Sequence, residues 1–67
     1  MKIGDTVTML FHCAGVASEE EYKIIKKRGN IVTLDTDEED DKCFKFDVQT
    51  GRCLNDSTMF GVYRTLK

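Results

Sequence analysis

Gly29-Asn30, set between Tyr22-Lys23-Ile24-Ile25 and Ile31-Val32-Thr33-Leu34, is the feature that most restricts what this chain can fold into. Gly takes the positive φ that a two-residue primed turn requires, and Asn tolerates it, so two short apolar runs around this dipeptide form a β-hairpin. A loop of Gly29-Asn30 alone pairs Lys27 with Val32 and Ile25 with Leu34, which puts Ile24, Lys26, Ile31 and Thr33 on the other face. Both faces are then partly apolar. A flat sheet with one wet face does not ask for that, whereas a small sheet bent back on itself buries residues of both parities near its corners. The expected class is mostly β, as a single small barrel.

The other strands are read from period-two alternation. Val7, Met9 and Phe11 share one parity and Thr6 and Thr8 the other, giving a strand from Thr6 to Phe11 or His12. Small residues and Gly15 break the pattern between Cys13 and Ser18. Ser18 before Glu19, Glu20 and Glu21 then allows one short helical turn near residues 18–22, with Glu21 in the capping-box position, or a solvated loop. From Lys42 to Asp47, Phe44 and Phe46 alternate with Cys43, Lys45 and Asp47. Asp47-Val48-Gln49-Thr50-Gly51-Arg52 carries turn chemistry, an Asp carboxylate for nearby N–H groups and a Gly for the left-handed residue, so a second hairpin continues to Leu54. Met59 to Leu66 reads as a closing strand interrupted at Gly61, with Phe60, Val62 and Leu66 on one parity. The expected core is Val7, Met9, Ile25, Leu34, Phe44, Phe46 and Val62.

Size and charge narrow the function. Sixty-seven residues allow one domain, 1–67, and a chain this short buries only about 60% of its unfolded surface, leaving a thin stability margin and no deep cleft. Twelve acids against 10 bases give a net charge of -2, so bulk attraction to nucleic acid or an anionic membrane is not expected and only local charge carries information. Three cysteines without close pairing read as reduced thiols. No apolar run approaches the roughly 20 residues of a membrane helix, and Met1-Lys2-Ile3-Gly4-Asp5 lacks a targeting pattern. A cytoplasmic location, with no membrane partner, is expected.

No catalytic constellation stands out. His12 and Cys13 are sequence neighbours, and neighbours on a strand point to opposite faces, so they read as a rim histidine and a small packed thiol rather than a dyad. Cys13, Cys43, Cys53 and His12 suffice in number for zinc but lack the Cys-x-x-Cys spacing of structural sites. If the second hairpin closes over four residues, Cys53 faces Phe46, away from Cys43, and no bridge joins the two cysteines. Asp35-Thr36-Asp37-Glu38-Glu39-Asp40-Asp41 has neither the central Gly nor the terminal bidentate Glu of a calcium loop. Neither enzyme activity nor a cofactor is expected. Two charged stretches remain. The carboxylates Asp35, Asp37, Glu38, Glu39, Asp40 and Asp41 form a candidate docking surface for a protein with a basic face, because concentrated charge on one loop speeds and orients association. Lys23, Lys26, Lys27 and Arg28, with Tyr22, form the alternative, a nucleic-acid footprint.

Gly4-Asp5-Thr6-Val7, Tyr22-Lys23-Ile24-Ile25 and Asn30-Ile31-Val32-Thr33-Leu34 resemble the opening and paired strands of SH3-like barrels of the KOW and Tudor kind. Phe46-Asp47, Thr50-Gly51-Arg52 and Arg64-Thr65-Leu66 are similar to the ends of many small uncharacterised bacterial and bacteriophage proteins. The resemblance touches about half the chain and implies a five-stranded SH3-like barrel of phage or mobile-element origin. The expected function is a non-enzymatic protein-binding module, an accessory protein that sits on a host or viral protein in the host cytoplasm and alters its activity. The alternative is a nucleic-acid-binding barrel using strand 23–28.

Overall fold

A computed structural model describes residues 1–56 and 61–67, and the backbone alone of Asp40. Five antiparallel strands, β1 (Thr6–Cys13), β2 (Val16–Arg28), β3 (Ile31–Leu34), β4 (Lys45–Asp47) and β5 (Tyr63–Leu66), form one sheet in the order β4-β3-β2-β1-β5. The sheet nearly closes on itself. Its edge strands are joined by the short segment between them, through the bridges Phe46↔Cys53 and Arg52↔Thr65. Gly51 makes this junction possible: its φ is +75°, and a Cβ there would meet the Leu66 carbonyl oxygen at 3.3 Å, so a side chain would add left-handed strain to a close approach.

The Gly29-Asn30 turn forms as the sequence predicts, with Arg28 opposite Ile31 and Lys27 opposite Val32. The register then departs from expectation. A bulge between Ile24 and Lys26 sets Ile24, not Ile25, against Leu34. The extra residue flips the parity of everything before it on β2, so Ile24 enters the core and Ile25 is only half-buried. The bulge also gives the bend that lets one long strand pair with β1 along one stretch and β3 along another.

The helical turn considered for residues 18–22 is replaced by strand. Ala14 (φ +51°) and Gly15 (φ +81°) make a two-residue turn, and β2 pairs with β1 without interruption from Cys13↔Val16 to Thr6↔Lys23. Glu19, Glu20 and Glu21 follow the ladder because main-chain pairing along a whole strand outweighs a few tenths of a kcal/mol per residue of helix preference.

Met9, Ile24, Val32, Leu34 and Phe46 are the buried centre, with Val7, Tyr22, Phe44, Val48, Cys53 and Leu66 packed against it. Cys43 is also fully buried and Thr33 nearly so, whereas Val62 is half-buried and outside this cluster. The regular part of the closing strand starts at Tyr63; Met59 and Phe60 lie outside the described residues. The turn after β4 has the expected chemistry, the Asp47 carboxylate accepting from Gln49 N–H at 2.8 Å and Gly51 N–H donating to Asp47 C=O at 2.7 Å. Cys53 stands opposite Phe46 as expected.

Candidate functional site

All of the acids except Asp5, Asp47 and Asp56 fall in two segments, 19–21 and 35–41, and the fold starts the second beside the first. Asp35 N–H donates to Lys23 C=O at 2.9 Å, two residues along β2 from Glu21. At that point Thr36 N–H turns back onto Leu34 C=O at 2.8 Å, and its hydroxyl accepts from Phe44 N–H at 2.8 Å, so the chain leaves β2 and heads for Phe44. The loop is then wound round the buried Cys43, whose thiol reaches the carbonyls of Asp37 and Glu39 at 3.4 and 3.5 Å. Asp35, Asp37, Glu38, Glu39 and Asp41 are exposed. Glu39 pairs with Lys42 at 3.2 Å, and both are mostly in water, where such a pair contributes little.

The carboxylates of β2 were missed in the sequence because their role depends on cross-strand neighbours. Glu19 pairs with Lys67 at 2.7 Å, and Glu21 is exposed. Glu20 accepts a short hydrogen bond from the Tyr22 hydroxyl. That bond, then burial and the charge of Glu20, raises the tyrosine's pKa above its ordinary value. Glu20 and Tyr22 line a hollow of about 260 Å³ with Met9, Phe11, Thr36, Phe44 and Arg64. The Arg64 guanidinium lies over the rings of both Phe11 and Phe44, 4.8 and 4.3 Å from their centroids, and is held by Asp56 at 2.5 Å. Asp56 also accepts from the Arg64 backbone N–H at 2.7 Å. Asp56 thereby offsets part of the guanidinium's charge, and Glu20 is the carboxylate among the hollow's lining residues.

The basic residues gather at the opposite end of β2. Thr33 pairs with Lys26 on one side and Lys45 on the other, so these lysines flank it. With Lys27, Arg28 and the exposed Ile3 and Ile31 they line a groove of about 560 Å³. The Lys27 ammonium donates to Met1 C=O at 2.6 Å. The structure brings together only part of the alternative footprint. Tyr22 packs against the core and Lys23 sits at the start of the acidic loop, so neither belongs to the groove, and Lys45, twelve or more residues away in sequence, joins it. The groove has an apolar floor, and its described lining residues include no aromatic ring for a base to stack on.

The cysteines are free and differ in setting: Cys13 exposed at the β1–β2 turn, Cys43 buried, Cys53 intermediate. Burial, the largest influence, pushes the Cys53 thiol pKa up, which lowers its thiolate fraction. His12 stacks on Tyr63 with centroids 4.3 Å apart, and its Nε2 is 2.9 Å from the Thr65 hydroxyl. Among the described residues, no three His, Cys, Asp or Glu side chains are placed to hold a metal ion, and no helix is long and apolar enough to cross a membrane.

No protein-family model matches the chain, and no curated protein or solved structure is significantly similar to it.

Proposed function

We propose that this chain is a non-enzymatic protein-binding module that engages a partner with a basic surface through its acidic end. The observation that carries the reading is the convergence of the two acidic segments, Glu19 to Glu21 on a rigid strand and Asp35 to Asp41 on a loop that starts beside it. Lys26, Lys27 and Arg28 lie across the turn-proximal half of β2, where they line the groove with Lys45. Concentrated charge of one sign attracts and orients a complementary surface, and reversing it slows association more than it changes dissociation. The resemblance to small phage proteins extends the reading to an accessory protein, SH3-like in fold, that modulates a host or viral protein.

The test replaces Asp37, Glu38, Glu39 and Asp40 by Lys and compares affinity capture from the native host with that of a Lys26, Lys27, Arg28→Glu variant. The acidic reversal should abolish capture with the melting temperature nearly unchanged, since exposed loop charges contribute little to stability. The basic reversal should leave capture largely intact. A second reading, binding of a nucleic-acid backbone, is favoured by the four cations around the β2–β3–β4 groove. Capture that survives the acidic reversal, is lost with the basic one and disappears on nuclease treatment selects that second reading.

A further inference from the structure

We propose that the open edge of β2, Ala17 to Glu21, takes up an extended lysine- or arginine-rich segment of a partner protein as an added strand. This deepens the acidic-end reading and rests on it. β3 pairs with β2 only from Ile24 to Arg28, and among the described residues no strand pairs with that side of β2 from Val16 to Tyr22. The open length suits a strand of ordinary size, about 5–6 residues. The lane is the straight continuation of β3, vacated where Thr36 N–H folds back onto Leu34 C=O.

The main-chain groups that line the lane follow from the ladder. Ile24 N–H donates to Asp5 C=O and Ile24 C=O accepts from Gly4 N–H, so this residue's polar groups face β1, while Lys23 C=O faces the other way, toward Asp35. The register with β1 runs without irregularity from there to Val16. Alternation therefore turns the N–H and C=O of Ala17, Glu19 and Glu21 to the open edge.

The occupant's chemistry follows from the two faces. On the outer face, cross-strand neighbours of an added strand would be Glu19 and Glu21, and opposite charges at such positions stabilise pairing. On the inner face they would lie beside Glu20 and against the rings of Tyr22, Phe11 and Phe44 that line the hollow, apolar surface on which an aliphatic side chain can pack. A segment alternating basic with aliphatic residues meets both conditions. Acids of one sign guard the edge against a second copy of itself, whose glutamates would face these, and against phosphate backbones. They do not guard it against a basic strand, which adds to a sheet edge through main-chain bonds with side chains giving selectivity.

The probe is a labelled nine-residue peptide alternating lysine with valine, titrated into the intact chain at low salt, with amide exchange followed residue by residue. Binding should slow exchange at Glu19 and Glu21. Glu21→Pro removes one edge donor and should weaken binding about tenfold or more, whereas Glu21→Gln, which keeps the donor, should weaken it less and reduce its salt sensitivity. Ala17→Pro, which alters no charge, repeats the test should Glu21→Pro fail to fold. Equal affinity for a peptide of the same composition interrupted by two prolines, or unchanged exchange at Glu19 and Glu21 on binding, overturns edge addition. If binding then still vanishes in the Asp37, Glu38, Glu39, Asp40→Lys variant, the acidic-end reading stands without it. Absence of any binding to the basic peptide overturns both, and concentration-dependent pairing of the chain through this edge overturns the proposed occupant.

Discussion

From Ile24 to Arg28, β2 pairs with β3 and touches the β1 side only at Ile24, and its side chains there are Ile24 in the core, the half-buried Ile25 and three bases around a groove. From Val16 to Tyr22 the same strand is paired, among the described residues, with β1 alone, carries three successive glutamates and is exposed except at Tyr22. One strand thus serves two purposes. Where it is covered it supplies the barrel wall, and where it is uncovered its backbone costs nothing to leave in water, so the residues there are free of packing demands. With the proposed binding mode, stability and recognition would be separated along the strand rather than between its faces.

The largest test of that separation is Phe46→Ala. Phe46 is fully buried against the covered half's partners, opposite Val32, and its truncation should cost about 3–5 kcal/mol, close to the whole stability of a chain this small. A variant melting within a few degrees of the parent would put the core elsewhere. Next, proline should discriminate the halves directly. Thr33→Pro removes a ladder donor from β3, which has a neighbour on each side, and should cost about 1–3 kcal/mol or more in thermal denaturation. Glu19→Pro removes a donor that faces the open edge and should shift the melting temperature only slightly. Equal losses from the two would mean that the edge is covered. Asp56→Asn tests the inner wall: its carboxylate, 4% exposed, holds Arg64 twice, and the change should cost about 1.5–3 kcal/mol in thermal denaturation. The smallest effects are expected from the thiols. Alkylation under native conditions should modify Cys13 first, Cys53 slowly and Cys43 only on unfolding, and a chelator should leave the melting curve unmoved.

What could be read from the residues ends where one strand's register depends on another's. Gly29-Asn30 announces its own turn, and Asp47 with Gly51 does the same, because each motif acts within four to six residues. The bulge has no such mark: Ile24 and Ile25 are the same residue type, and only the packing of Leu34 decides which one is buried. Ala14-Gly15 hid its turn because a non-glycine residue at φ +51° is uncommon, and Ser18-Glu19-Glu20-Glu21 offered a helix start in its place. The acidic loop was legible as a charge run. Its junction with Glu20 and Glu21, and the arrival of Lys45 between the bases of β2, were not, since both come from pairing across strands.

The junction at Gly51, Arg52 and Cys53 has a dynamic consequence. Two single-residue bridges and the Leu66 N–H to Gly51 C=O bond at 2.7 Å join β5 to the far edge of the sheet, whereas continuous ladders hold every other pair of neighbours. The barrel is a hoop with a clasp. Opening the clasp breaks these bonds and the Asp56–Arg64 pair but no continuous ladder, which makes it a local opening rather than global unfolding. The Leu66 amide should therefore exchange with solvent well before that of Val32, through motion of the hoop rather than through its unfolding.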